Sequence, residues 1–410
     1  MSAVTRPAPG LLSAPGFVPL WVAGGVSNAM LWLEVLAAAL FTLQVTGSGF
    51  DVALVSAARS LPLLATGAVI GVISDAIDRK RIVVGGLLLS AASAGGIGLL
   101  ALAGVLQPWH IAVAALASGL VYATEMPARR RMIAESAGPV LLPRAVAVDS
   151  MTSYATRCAG PLLGGVAYQH TGLAGAFLLS ASLSLAAAAM VAGISHRQVA
   201  VRRLSLATAM RDLRAGLVFA RQSATIKALL GITIATNLFG YSYSTLVTPI
   251  GRLVFGLSPE MIGVLAAAEP TGSLLAGSFI AIHPLPGPPL RWLAAGAAGL
   301  FSALAVAGML GHLAQPLMPV LAALFLGGIG SAIYNIHQTT IVMNETPVAL
   351  RSRVMGLVTV CIGCWPLGQL FAGGLIAPLG PLGSLATLGL GGLASIALLA
   401  MIGRGRGSQP

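Results

Sequence analysis

The chain has 410 residues, of which 57% are hydrophobic and 8% charged, with a mean hydropathy of +0.91. An average soluble domain carries about 25% charged residues, so this composition excludes one and indicates a polytopic membrane protein. The formal charge of +12 is scattered through short loops instead of forming the basic patch that nucleic-acid binding requires, and no nucleic-acid partner is expected.

In lipid every backbone donor and acceptor must be paired within its own segment, and the alternating pattern of a membrane barrel is absent, so the expected class is all-α. The opening residues "MSAVTRPAPGLLSAPG" do not run charged leader, short apolar core and cleavage site in order, and no cleaved signal is expected. Apolar runs between Gly, Pro and charge punctuation then predict twelve spans, at roughly 17–44, 51–74, 82–105, 109–128, 144–168, 173–194, 225–250, 258–280, 291–311, 314–340, 352–378 and 382–402. The polar segment "SHRQVAVRRLSLATAMRDLRAGLVFARQSA" separates the sixth from the seventh. Three regions follow: a first six-helix bundle over 1–194, a linker over 195–224 and a second bundle over 225–410. Within the linker, Leu206, Met210, Leu213, Leu217 and Phe219 oppose Arg211, Arg214 and Arg221, which predicts an amphipathic surface helix near 206–222 that tethers the halves.

Basic residues set the topology. With the N-terminus in the cytoplasm, Arg6, the run Arg79 to Arg81, the run Arg129 to Arg131, Arg144, the linker, Arg291, Arg351, Arg353, Arg404 and Arg406 fall on that side, and Arg252 on the other. This asymmetry places both termini inside. The two sets of spans also echo each other. "ESAGPVLLPRAVAV" precedes span five and "NETPVALRSRVMGL" precedes span eleven, and Pro161 and Pro366 fall at similar depths after them. Such repeats are common in secondary transporters built around a midplane site.

The residues that follow span two carry a family resemblance. Gly71, Asp75, Arg79 and Lys80 resemble the loop signature of the major facilitator superfamily: Gly, three residues, Asp, Arg, any residue, Gly, two basic residues. Ala76 stands where that signature has Arg, and Asp78 where it has Gly. Asp78 is similar to the drug- and siderophore-exporter branch that includes the enterobactin exporter and macrolide-efflux proteins. The same branch is resembled by "VTGSGFDVALVSAARSLPLLATG", by "MPARRRMIAESAGPVLLPRAVAVDS" and by "RSRVMGLVTVCIGCWPLGQLFAGGLIAPLG", with Ser352 where Gly is usual. The resemblance implies two six-helix bundles rocking around a central cavity in a bacterial inner membrane. Its function would be proton-coupled export of a small amphiphilic, drug-like or siderophore-like molecule. It further implies that an acid near the inner end of helix four, here Glu125, holds the signature Arg79 as a cytoplasmic latch, and that helices one, four, seven and ten line the cavity.

No Walker sequence, zinc-spaced His cluster or nucleophile elbow is present, so neither an enzyme nor a cofactor or metal is expected. Cys158, Cys361 and Cys364 lie in apolar stretches, and "CIGC" reads as small packing residues in place of a dithiol. Glu34, Arg59, Asp149, Arg157 and Glu269 fall within predicted spans. Each costs about 2.5–3.5 kcal/mol at the bilayer centre on insertion scales, so each needs a partner. At about 1.5 Å per residue, Glu34, Arg59, Arg157 and Glu269 lie within roughly 5 Å of one level. Pairing of Glu34 with Arg59 inside the first bundle, and of Arg157 with Glu269 across the bundles, is the expectation, either as a gate or as a static neutralising network. Asp149, at the inner end of its span, reads as an end-of-helix acid or as a proton site.

For the cavity, Asn237, Tyr241, Ser244 and Thr248 form one polar stripe, joined by Tyr334, Asn335 and Gln338 and by Asn28. Helix-to-helix hydrogen bonds are the competing assignment for any one of them. Gly160, Pro161, Gly164, Gly165 and Pro366 read as close-packing turns, and the Gly67/Gly71 and Gly160/Gly164 spacings fit packing within a bundle as well as dimers. A monomer is expected. Import by the same fold and a transport-inactive membrane sensor or assembly factor are the rival functions.

Overall fold

The computed structural model describes residues 10–195, 206–314 and 317–407, with the backbone alone over 63–76, 206–209, 312–314 and 403–407. The described residues are almost wholly helical and form no strand. Helix α1 is Phe17–Thr46, α2 is Gly49–Ala76 and α3 is Arg79–Leu102. The next helical run, Pro108–Ala192, is far too long for one crossing and breaks at Gly138 and Gly172. It therefore supplies α4 (108–137), α5 (139–171) and α6 (173–192). Both glycines have φ near +65°, a conformation that costs other L-residues about 1–2 kcal/mol, and Pro139 blocks any direct continuation past the first.

Helix α7 is Leu206–Gln222, and it bends by 111° into the following span, α8 (224–254). Helices α9, Pro259–Ile282, α10, Pro289–Ala314, and α11, Leu317–Glu345, are continuous. Helix α12 (351–379) is interrupted at Gly363 and Cys364 and again at Leu375, and Gly380, at φ +70° ahead of Pro381, separates it from α13 (381–407). Ser48, Asp78, Ser223 and Ser258 accept a backbone N–H at the starts of α2, α3, α8 and α9, each cap contributing about 1 kcal/mol. Asp78, where the signature has Gly, is thus the N-cap of α3.

Among the described residues, eight helical runs, the 108–192 run counted as one, are long and apolar enough to cross a membrane, and the bent α7–α8 pair makes a ninth span. Divided at its glycine breaks, and with α2 included, the described chain forms twelve long helical segments besides α7. The major apolar clusters are built separately from α1–α6 and from α7–α13; Leu36 and Leu40 of α1 with Ile262 of α9 form a small one between them.

The linker helix packs on a face rotated from the predicted one. Leu213 and Phe219 lie against the apolar cluster of the second half with buried Ala220, while Met210 and Leu217 are exposed. The cause is Gly216, whose bare backbone sits 3.0 Å, measured from a built Cβ position, from the carbonyl oxygen of Arg353. The pair Asp212–Arg353, at 2.9 Å, fixes the same face. The Leu206 side chain lies outside the described residues.

The linker end of the molecule carries α7 and the start of α1; the far end carries the α1–α2, α5–α6 and α8–α9 turns. Four glycines toward the far end bring the halves into contact. A Cβ on Gly165 (α5) would lie 2.5 Å from the Pro259 carbonyl oxygen, and one on Gly263 (α9) 2.6 Å from that of Pro161. A Cβ on Gly373 (α12) would lie 2.2 Å from Cβ of Ala53 (α2), and one on Gly49 2.6 Å from Ile376.

Candidate functional site

Helix α8 shapes the site by failing to remain regular. After an α-helical start it becomes a π-turn at Thr236–Gly240, a 3-10 segment at Tyr241–Leu246 and a second π-turn at Ile250–Val254. In a 3.6-residue helix Tyr243 would point about 160° from Tyr241; three residues per turn narrow this to about 120°. Both phenols consequently line one cavity, and Tyr243 is a residue that a regular-helix stripe omits.

That cavity, about 520 Å³, lies between the halves and extends from Ala39, Val52 and Thr248 toward Arg130 and Ser150 at the linker end. Asn28, Asn237, Tyr241, Ser244, Tyr334, Asn335 and Gln338 all line it, as does Thr248. Several also join helices. The Asn28 amide donates to the Ser153 carbonyl and, at 2.6 Å, to Thr156 Oγ1, and Asn335 donates to the Tyr241 hydroxyl at 2.7 Å. Gln338 donates to Thr233 Oγ1 of α8 and, within α11, to the Tyr334 hydroxyl, while Asn237 donates within α8 to the Thr233 carbonyl.

Two groups of charges border this space and another lies beside it. In the first, Arg157 of α5 reaches across the halves to Glu269 of α9, with Nη2 3.1 Å from Oε2, and the Tyr243 hydroxyl donates to the same oxygen at 3.2 Å. The guanidinium also lies over the Trp32 and Tyr241 rings, 5.6 and 5.7 Å from their centroids, a cation–π placement worth about 0.5–2 kcal/mol. Glu269 is 1% exposed, and its Oε1 has no donor. One carboxylate oxygen therefore takes two donors and the other none.

In the second group, inside the first half, Glu34 Oε2 lies 3.4 Å from Arg59 Nη2 and Oε1 accepts from Ser180 at 2.6 Å; Arg59 Nη1 donates to Ser118. Close approach of α2 and α4 permits this, since a Cβ on Gly119 would sit 1.9 Å from the Arg59 carbonyl oxygen. The pair borders a side pocket of about 130 Å³ next to the main cavity.

The third group corrects the expected latch. Glu125 does not hold Arg79: it pairs with Arg129 one turn on, Nε to Oε1 at 3.0 Å. Arg129 continues to Asp149 of α5 at 2.7 Å, and Arg130 reaches the other Asp149 oxygen at 3.1 Å. Arg79 pairs instead with Glu135. The physical reason is the length of α4, which runs to residue 137 and carries Glu135 beyond the predicted end of the span. Arg129 is 3% exposed, so it is a buried structural cation and not a loop residue. Bare Gly24 makes room for it: a Cβ there would meet the guanidinium at 2.0 Å. Asp149 is likewise bound between two arginines and is no free helix-end acid. Lys80 is part-exposed on the first turn of α3. Gly71 and Asp75 fall in α2 within 63–76, where side chains lie outside the described residues.

The predicted packing turns divide by role. Gly160 and Gly164 face α1, with built Cβ positions 2.9 Å from the Ala29 and Leu33 carbonyl oxygens, whereas Gly165 and Pro161 meet α9. Pro366 is buried in the first turn of the second piece of α12. The three cysteines are free, and no cluster of metal-ligating side chains occurs among the described residues.

Residues 8–403 match the family described as transmembrane secretion effectors. The chain is 24% identical over 375 residues to the uncharacterized MFS-type transporter YfiS of Bacillus subtilis (strain 168), covering 88% of this chain and 87% of that one. It is 27% identical over 370 residues to the multidrug efflux pump Tap of Mycolicibacterium fortuitum, covering 84% and 85%. Among solved structures, the peptide transporter POT in complex with sulfate superposes with a TM-score of 0.73 at 14% identity over 98% of this chain and 96% of that one. A bacterial homologue of the lysosomal transporter Spinster, in an inward-facing conformation, superposes with a TM-score of 0.71 at 14% identity over 96% of each. These likenesses show the fold. The chain belongs to the transmembrane secretion effector family of major facilitator superfamily transporters.

Proposed function

We propose that the protein is a proton-coupled exporter of a small amphiphilic organic molecule, working by alternating access as a monomer in the bacterial cytoplasmic membrane. The linker and both termini face the cytoplasm in this reading, and the two six-helix bundles flanking 195–224 move as units. Efflux is supported by the activity named for the Mycolicibacterium fortuitum relative. The observation that carries the reading is the Arg157–Glu269 pair, which crosses the halves at the wall of the cavity and leaves one buried Glu269 oxygen without a donor.

With the far end sealed, the cavity receives substrate from the cytoplasmic side. Its charged groups are matched, Arg157 with Glu269 and Glu125 and Asp149 with Arg129 and Arg130, and its remaining polar groups are amides and hydroxyls. A neutral or zwitterionic amphiphile suits it better than a multiply charged one. Opening the far end draws Arg157 from Glu269. A buried carboxylate that has lost its counter-ion is costly by several kcal/mol, and substrate contacts offset that cost during the outward step. After release, Glu269 takes a proton from outside through its free oxygen, which removes the charge. Return to the described state brings Arg157 back, re-forms the ion pair and expels the proton inward. One proton thus moves in as one substrate moves out.

The test is charge removal. Glu269→Gln should abolish transport driven by a pH gradient while keeping substrate exchange, and Arg157→Ala should lose both. If both variants retain transport and its pH dependence, the pair is a static neutralising contact and the coupling mechanism is wrong.

A further inference from the structure

The side pocket bordered by Glu34 and Arg59 does more than separate that pair from the main cavity. At about 130 Å³ it has the size of one aromatic ring; an engineered apolar protein cavity of about 150 Å³ binds benzene. Its walls, including Val35, Val55, Ile111, Ala115 and Phe177, belong to the first half. The Glu34–Arg59 floor offers a ligand little, since both Glu34 oxygens already have donors and Arg59 is shared between Glu34 and Ser118.

Two buried hydrogen-bonding groups without a partner come from the second half. Trp365 and Gln369 of α12 line the pocket, Gln369 is 4% exposed, and neither Trp365 Nε1 nor Gln369 Oε1 has a partner. They stand four residues apart in one continuous helical piece, hence on one face about 5–6 Å apart at their Cβ atoms. One is a donor only and the other an acceptor. A buried group of either kind left unmet is destabilising; solvent reaches neither atom in the described state, and a rotation of the two side chains toward the pocket lets a single hydroxyl satisfy both, accepting from Trp365 and donating to Gln369.

We infer that this pocket is a recognition site for a hydroxylated aromatic ring, a phenol or small aryl alcohol, on the transported amphiphile. The inference deepens the exporter reading and rests on it. The ring slot belongs to one half and the hydroxyl's partners to the other, so relative motion of the halves dismantles the site. Binding is then tight in the state described and weak in its alternate, as release on the opposite side requires.

The test is a binding measurement without any gradient, using full-length protein in nanodiscs and 19F NMR of 4-fluorophenol and fluorobenzene, with empty nanodiscs as the blank. Two hydrogen bonds of ordinary strength predict roughly tenfold tighter binding of 4-fluorophenol. Gln369→Leu and Trp365→Phe should each remove most of that preference and leave fluorobenzene binding unchanged. Ala115→Leu, which fills the slot, should weaken both probes, with the size-exclusion profile checking its fold. Equal affinity for the two probes, a preference that survives both α12 variants, or broadening no greater than in empty nanodiscs would overturn the inference. Transport under a pH gradient is scored separately: transport without probe binding sinks only the pocket, and probe binding without transport sinks only the exporter reading.

Discussion

Replacing Gly263 by Ala isolates the role of the far-end seal. The added Cβ would lie 2.6 Å from the Pro161 carbonyl oxygen and 3.3 Å from Cα of Leu162. Both are backbone atoms of α5, so relief requires the helices to part. Such overpacking costs about 1–3 kcal/mol. The gain in helix propensity, about 1 kcal/mol for Gly to Ala, applies in either access state and drops out. Taking about 2 kcal/mol, the equilibrium should move roughly 30-fold toward far-end opening. Spin labels at exposed His170 of α5 and Leu253 of α8 report that end directly by double electron–electron resonance, which should show a second, longer population. Gly356→Ala is the control, since nothing lies within 4 Å of its built Cβ. A distance distribution for Gly263→Ala identical to that of the control would refute the seal.

Other perturbations address the charges. Arg129→Met leaves Glu125 and Asp149, 2% and 5% exposed, without their shared cation. A loss of about 3–5 kcal/mol is expected, read as a lowered unfolding temperature of detergent-purified protein; an unchanged temperature would show that Arg130 compensates alone. Gly24→Ala should act through the same cluster and add little in the double variant, because the two changes share a partner. Asp212→Asn breaks a pair more than one-third exposed on both sides, so it should cost at most about 1 kcal/mol, less in high salt. A large, salt-independent loss would mean that the linker is anchored chiefly by that pair.

The spans were legible because the bilayer demands long apolar runs and Gly–Pro breaks punctuate them: α1, expected over 17–44, is Phe17–Thr46, and α9, expected over 258–280, is Pro259–Ile282. Pairing of Glu34 with Arg59 and of Arg157 with Glu269 was foreseeable because a helix converts residue count into depth, and charges at one depth seek each other. The end of α4 was not legible. Its last turns are polar, and hydropathy marks where lipid stops, not where the helix stops. Glu135 lies in those polar turns, and hydropathy marks the run Arg129 to Arg131 as an orienting charge and not as a buried one. The spacing of Glu125 and Arg129, one helical turn, was the available signal. The mixed π and 3-10 course of α8 left no periodicity that would have placed Tyr243 beside Tyr241, and the open hydrogen-bonding positions of Trp365 and Gln369 depend on packing that sequence does not record.

The most direct test of the account is transport itself. Inside-out membrane vesicles containing the protein, given an imposed pH gradient with an acidic lumen and a panel of neutral and zwitterionic amphiphiles, should accumulate at least one compound. Collapsing the gradient or substituting Glu269→Gln should stop the accumulation. If no compound moves in a proton-dependent way across a broad panel, or if the gradient drives movement equally well through Glu269→Gln, the exchange of proton for substrate at the Arg157–Glu269 pair is contradicted.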